Sequence, residues 1–555
     1  MEFTYAYRGS TAVQSGPYRT QMSFVPDAGR PPTYFSGEIG RAVPFREAIS
    51  ALHDVVVSDL RTPPKDKSAY KAWAESRAAA DLALIAGRRA DIAARVKRVE
   101  GELHALLAER ARRWGSFYQA RQRYFDYLYK HERDFWYVLD PVVTVHPDEV
   151  FFECFSQDES TYGRLSVGYD SFKDRGEIAC GTTNVDYSSK LYEEFQKIRS
   201  YKTTRLQVDP AGFEVQTGFD DAYREVKIDL PDSWVRGFLQ VNSAMTLPAR
   251  SFRLHPVDLF NICFVLRRKR ELLGPRSLRF FLTPGAPVRV LVEPFGVELA
   301  CPRSVYEGDE ADEIRIWGRR RLLVLERLLP LARGFTVHLL GTGLPSFYVA
   351  DLGDMSFTLG LSGWVANDWA AAGNFDLLAP RAAVDDTTKR RVFEGLKESW
   401  FDEPARLSGR LGLPRAQVLG ALSAYAQAGR VMFDLNKGVY RVRELSRTPL
   451  PLEALRFSNE REEKASRLLA AKGIHVERSI RLERGAAAAP GRAPGGRTLS
   501  GRVRDKSHAY AVSLQIDGDE RIVDGACDCN FFKQNRLRKG PCEHQLALRM
   551  AAPRS

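Results

Sequence analysis

Cysteine is scarce in this chain, seven among 555 residues, yet Cys527, Cys529 and Cys542 stand together near its C-terminal end beside His544. The stretch CDCNFFKQNRLRKGPCEH reads Cys-x-Cys, a spacer of twelve residues, then Cys-x-His. Thiolate sulfur and imidazole nitrogen are the ligands of tetrahedral zinc, and two close pairs separated by a loop can meet one ion without strain. Four protein ligands close the shell and leave no position for a reactive water, so the expected centre is one structural Zn2+ and not a catalytic one. Such a site contributes on the order of 10 kcal/mol to the folding of a small unit. Lys533, Arg536, Arg538 and Lys539 in the spacer could offset the charge of three thiolates and help keep them deprotonated.

The elements that must position these ligands can be read around them. GRVRDKSHAYAVSLQIDGDERIVDGACDC alternates in polarity with a turn at Asp517 and Gly518, so the first two cysteines come off a hairpin. Gly540 and Pro541 bend the chain, and Cys542 and His544 open a last helix through QLALRM. The finger is assigned to 500–555. Before it, RGAAAAPGRAPGGR lacks the apolar residues to order itself and is read as a flexible linker over 484–499. SNEREEKASRLLAAKG supplies a connecting helix within 448–483.

The segment 387–447 reads as helix, helix, turn at Gly412, helix, then the strands RVMFDL and GVYRVREL, which is the order of a winged helix-turn-helix. In a DNA-binding reading its second turn-motif helix presents Arg415, Gln417 and Ser423 to a groove, and the wing brings Lys437, Arg441 and Arg443 to phosphate. Protein docking is the alternative use of the same unit.

The rest of the chain is read as α+β and multidomain. A mixed segment covers 1–67, with a helix from Phe45 to Leu60. Over 68–140 apolar residues such as Leu82, Ile85, Ile92, Val96 and Val99 recur at helical spacing, which predicts a helical hairpin or coiled-coil arm. Period-two alternation then predicts an α+β domain over 141–245 and a second over 246–386, similar enough in order to suggest duplication. Gly341, Gly343 and Ser346 lack the third glycine and the Lys-Ser/Thr pair of a phosphate loop and read as a turn. Trp364, Asn367 and Asp368 read as a helix start, and His255 and His338 as isolated histidines. Cys154, Cys180, Cys263 and Cys301 read as buried thiols in apolar surroundings.

The net charge of +12 is unevenly placed: about 31 Lys and Arg face 19 Asp and Glu from Arg390 onward, which leaves the earlier residues near neutrality. A polyanionic partner for the C-terminal third is one reading, and an Arg-rich solvated surface the other. With no long apolar run, no charged-then-apolar leader and no paired-cysteine framework, the expectation is a cytoplasmic protein without a membrane anchor.

The stretch from Cys527 to His544, with its hairpin before and QLAL after, resembles the SWIM-type zinc finger. More narrowly, residues from about Asp312 to Arg549 resemble bacterial SWIM zinc-finger proteins through IWGRRRLLVLERLLP, GTGLPSFYVADLG and YRVREL. The resemblance implies zinc ligation by Cys527, Cys529, Cys542 and His544, and binding of DNA or protein rather than catalysis. It also implies, as partners, a MoxR-type AAA+ ATPase and a von Willebrand factor A protein. The leading expectation is therefore a non-enzymatic zinc-containing adaptor that binds other proteins. The alternatives are a DNA-binding protein using the winged helix and finger, and a hydrolase or nuclease with its site in 141–389.

Overall fold

Strands pair into mainly antiparallel sheets in this chain, the described exception being 19–24 with 203–208, and helices cover the apolar faces. The computed structural model describes residues 12–15, 19–24, 33–58, 99, 101–103, 141–184, 192, 195, 196, 198–201, 203–208, 232–269, 277–363, 369, 374–380, 382, 384–445, 460–482 and 493–552. The chain falls into two compact units, Leu60–Val138 and the residues on either side of it. The expected helical arm lies almost wholly outside the described residues. Its described part, Val99 and 101–103, is helical and exposed.

In the larger unit the described helices are α1 (Ala42–Val56), α2 (Asp232–Met245), α3 (Pro256–Arg268), α4 (Asp386–Ser399), α5 (Pro404–Leu411), α6 (Arg415–Gln427), α7 (Glu460–Ala470), α8 (Asn530–Asn535) and α9 (Glu543–Ala551). The largest sheet has eight strands, in the order 250–254, 334–339, 346–351, 355–361, 161–168, 149–155, 142–145, 181–184. Every neighbouring pair in it is antiparallel.

That sheet corrects the expectation of two α+β domains. Strands expected on either side of a boundary at 245 and 246 share it, joined where Thr161–Gly168 pairs with Met355–Leu361. Both joining strands are almost wholly buried, so a boundary there would leave two rows of backbone donors and acceptors unpaired in the interior. The strands 277–282, 287–292, 297–305 and 312–317 form a separate four-stranded sheet, and no counterpart to it stands in the other half among the described residues. Nor is the N-terminal segment separate: 12–15, 19–24 and 34–39 share a five-stranded sheet with 172–179 and 203–208.

The strand Glu149–Phe155, EVFFECF, is buried along its whole length, because both faces of the sheet are covered. Alternation sends Cys154 toward α1, where its thiol meets the Leu52 carbonyl. The opposite face carries Glu149, Phe151, Glu153 and Phe155. Phe155 packs on Trp234 and Phe238 of α2, and the two carboxylates meet basic residues from 431–443.

Downstream, α4, α5 and α6 pack around Val392, Leu396, Leu407, Val418 and Leu422, followed by the hairpin strands 431–434 and 439–442. With 401–402 these make a three-stranded sheet. A last four-stranded antiparallel sheet runs 474–482, 496–505, 508–517, 522–527. Two expected segments are corrected by it. Residues 474–482 of the connecting segment form its edge strand, and the expected linker already contributes Gly496–Leu499 to the next strand, where Leu499 and Val503 point inward. Among the described residues no helix is long and apolar enough to cross a membrane.

Candidate metal centre

The strand Ile522–Cys527 ends at the first ligand, and the other three follow at helix starts. Cys529 is the N-cap of α8, its Sγ accepting the Phe532 N–H at 3.4 Å. Cys542 is the N-cap of α9, and its own N–H donates to Gln545 Oε1 at 3.1 Å. His544 follows within the first turn of α9. Helix N-termini favour negative charge, so two of the three sulfurs stand where a thiolate is stabilised.

The ligand atoms of Cys527, Cys529, Cys542 and His544 all lie within 4.8 Å of one another, and all four residues are buried. Tetrahedral zinc with bonds of about 2.3 Å sets neighbouring ligand atoms roughly 3.8 Å apart, and Cys527 Sγ lies 3.9 Å from His544 Nδ1. The residues therefore fit one metal ion, and a donor set of three sulfurs and one nitrogen fits a structural zinc. The thiols press the same way. Hydrogen bonding from Cys542 pulls Cys527 down to about 5 and Cys529 to about 7, while those two sulfurs drive the Cys542 thiol strongly upward. A divalent cation resolves that conflict by letting all three ionise.

Two residues that the spacing did not reveal stand beside the imidazole. Asp505 Oδ2 lies 3.6 Å from His544 Nε2, the atom turned away from the sulfurs, and the Tyr510 ring sits 4.3 Å from the imidazole. At 3.6 Å Asp505 is a charge partner for the ring and not a hydrogen-bond acceptor. Both residues stand on hairpin strands, at positions where nothing in the ligand pattern marks them.

The spacer between the ligand pairs is exposed at Asn530, Lys533, Gln534 and Arg536, and its second half, from Leu537 to Pro541, turns toward the body. Gly540 has φ of +81°, and a Cβ there would come within 2.5 Å of the Asn374 carbonyl oxygen, so the turn needs glycine twice over. Arg538 packs on Gly343. Leu537 lines a cleft of about 160 Å³ with Leu247, Leu339, Leu340, Leu378 and Ile522. Arg461 donates to the carbonyls of Lys539 and Pro541 and lies over the Phe531 ring. Neighbouring contacts continue the seam: Ile522 N–H to the Leu378 carbonyl, Arg521 to the Thr246 carbonyl, and Arg415 to both Asp519 oxygens at 2.8 and 3.2 Å. Of the four spacer cations, Lys533 and Arg536 are exposed and Arg538 and Lys539 half-buried.

The residues expected to contact nucleic acid divide in the same way. Gln417 is exposed at the start of α6, and Arg415 is exposed but paired. From Val418 to Ala426 every residue of α6 is buried, Ser423 included, so the helix has no free face to lay in a groove. The wing is corrected at two of its three residues: Arg441 and Arg443 are buried at 0% and 1% side-chain exposure, while Lys437 is exposed at 40%. Arg441 binds Asp148 through two nitrogens at 2.8 and 2.9 Å and Asp434 at 2.8 Å. Arg443 binds both oxygens of Glu153, which also accepts from the Tyr162 hydroxyl. Lys437 reaches Asp148 and Glu149, and Arg164 bridges Glu149 and Asp434. Four cations thus meet four carboxylates across the seam between the large sheet and the wing. The expectation failed because period-two alternation cannot tell a solvent face from a face covered by another sheet.

His146 sits in that seam, 0% exposed. Its Nε2 is 2.7 Å from the Val442 carbonyl, and its Nδ1 faces the Arg441 guanidinium at 3.4 Å. The neutral ring with the proton on Nε2 satisfies both partners; a second proton would face Arg441. Burial, then Arg441, hold it down to about 3, below its ordinary 6.5. The unfolded chain therefore takes up the proton first, so this contribution to stability is full above about pH 6.5 and is lost as pH falls toward 3, on the order of 5 kcal/mol at most. Asp148 and Asp434 are held low by Arg441, Lys437 and Arg164 against the effect of burial, and they add to the loss only below about pH 4. Denaturant titrations at pH 7 and 4.5 should show a smaller loss for His146→Gln than for the parent. Equal losses would contradict a buried neutral His146, since the metal ligands and His338 are common to both proteins.

The other singled-out residues read plainly. His255 is the N-cap of α3, accepting the Val257 N–H, and His338 meets the Ser251 hydroxyl. Cys154, Cys263 and Cys301 are buried and Cys180 half-buried, and the Cys3His group is the cluster that could hold a metal ion among the described residues. Gly341 and Gly343, both at positive φ, form a turn. Trp364, Asn367 and Asp368 lie outside the described residues.

This is a mixed α+β protein of several antiparallel sheets with a C-terminal Cys3His centre. No protein-family model matches the chain, and no curated protein matches it. Among solved structures it is similar to the Proliferating Cellular Nuclear Antigen from Entamoeba histolytica, at 8% identity and a TM-score of 0.31, over 60% of this chain and 98% of that one. A likeness so distant carries no weight for function.

Proposed function

We propose that this protein is a zinc-containing adaptor that binds partner proteins and performs no chemistry at its metal. The observation that carries this reading is the burial of α6 from Val418 to Ala426, together with the burial of the wing residues Arg441 and Arg443. The unit 386–442 has the element order of a winged helix; α6 packs into the unit's own core, and Arg441 and Arg443 are taken up by Asp148 and Glu153 of the large sheet. That is the behaviour of a docking module, whereas a DNA reader keeps a helix face and a wing free. The Cys3His shell, closed by protein, supports a structural role for zinc, and the C-terminal sheet with α9 fits the SWIM-type finger that the sequence resembles. That resemblance makes a MoxR-type AAA+ ATPase and a von Willebrand factor A protein the first partners to test.

Tagged full-length protein, recovered from its own cells at physiological salt, should carry one of these two partners in near-stoichiometric amount. The same protein should not retard duplex DNA at about 0.15 M salt. Retardation that falls steeply with added salt, and that Lys533→Glu with Arg536→Glu abolishes, would overturn the adaptor reading in favour of DNA binding.

A further inference from the structure

Helix α3 is apolar on two faces, and the fold uses one of them. Leu259, Ile262, Cys263 and Leu266 are buried against the body. On the other side Val257, Phe260 and Phe264 are 42%, 52% and 43% exposed, far more than single surface hydrophobics need be when they recur at helical spacing. The two phenyl rings lie 6.2 Å apart as one stripe. Arg268 lies over the Phe264 ring at 4.2 Å and Lys269 is exposed beside it, while the exposed Arg267 is already paired, its Nε 2.7 Å from Glu326 Oε2, so Arg268 and Lys269 are the cations offered to a partner. Asp258 is the only acidic residue of the helix. It is 1% exposed and taken up by the Ser304 hydroxyl at 2.6 Å and the Arg303 N–H at 3.1 Å.

We infer that this face of α3 docks an acidic amphipathic helix of a partner protein, one presenting Leu or Phe at i, i+3 or i+4, and i+7 with Asp or Glu alongside. The phenyl stripe supplies the apolar anchor, and the cations at its C-terminal end select negative charge. A second copy of this chain does not suit the face. Packed antiparallel, Arg268 of each copy would meet the positive N-terminal end of the other helix with no exposed α3 carboxylate to pair. Packed parallel, the cations would face each other. The inference rests on the adaptor reading and adds to it where one partner sits and with what chemistry.

The test uses the full-length protein and a fluorescent 18-residue helical peptide of Leu and Glu, with a Leu and Lys peptide of the same apolar pattern as control. Anisotropy should report binding of the acidic peptide and at least about tenfold weaker binding of the basic one. Phe260→Ser with Phe264→Ser should weaken the acidic peptide about tenfold or more, and Arg268→Glu about threefold to tenfold, with unchanged thermal unfolding because these side chains are exposed. Equal binding of both peptides, no binding of either, or a dimer in sedimentation that Phe260→Ser converts to monomer would each overturn it. Natural partner capture that survives the double serine variant would also overturn this surface while leaving the adaptor reading standing.

Discussion

A Cys542→Ser variant is expected to lose its metal and, with it, the fold of the C-terminal sheet and α9. Cys542 is 0% exposed and belongs to both the metal shell and the start of α9. Metal binding in comparable small units is worth about 10 kcal/mol or more, which exceeds what a four-stranded sheet and one helix can supply by burial alone. Zinc analysis should fall from one per chain to none. Hydrogen exchange should rise through 530–552, and also in Leu340 and Leu378, because Leu537 and Ile522 line the cleft with them. The eight-stranded sheet should keep its protection. A variant that retains one zinc per chain, or that loses zinc with no change in exchange over 530–552, would contradict the assignment.

Arg443→Ala is expected to cost about 3 to 5 kcal/mol of global stability, the usual consequence of leaving a buried carboxylate without its cation. Glu153 is 1% exposed, and its two oxygens lie 3.0 and 3.1 Å from Arg443. The Tyr162 hydroxyl alone cannot compensate it. Arg443→Met with Glu153→Gln should recover most of the loss, because the charge to be compensated is then absent from both sides. Denaturant unfolding of the two variants decides this. A loss below about 1 kcal/mol for Arg443→Ala would mean that the arginine is solvated and available to a partner after all. If the wing instead read DNA, the same substitution would weaken DNA binding and leave folding nearly unchanged.

The two results bear on one reading. A metal ion in the Cys3His group would hold the spacer of 530–541 so that Leu537, Arg538 and Gly540 meet the body, and the wing's cations hold the winged unit to the large sheet. What remains for partners is surface away from these seams, of which the exposed face of α3 is one apolar part.

The metal centre was legible in the sequence because its chemistry is local. Cys-x-Cys and Cys-x-His pairs need only a hairpin end and a helix start to meet one ion, and both are written within twenty residues of the ligands. The helices of 386–427 and the hairpin after them were legible for the same reason, through Gly412, Gly429 and the switch from helical to alternating spacing. Asp505 and Tyr510 were not, since they reach His544 only through strand pairing.

Which strands share a sheet was a tertiary matter. EVFFECF is equally at home at the edge of one domain or the middle of a sheet covered on both sides, and pairing with 161–168 and 142–145 chose the second. The same choice decided the fate of the wing. Arg441 and Arg443 alternate as a basic surface strand does, and only the arrival of Asp148, Glu149 and Glu153 from nearly three hundred residues away turned them into buried partners. By itself the sequence determined the ligands of the metal and the local elements that hold them, because neighbouring residues fix both. Whether a charge faces water or another charge depends on what the fold brings against it, and that the tertiary structure alone decided.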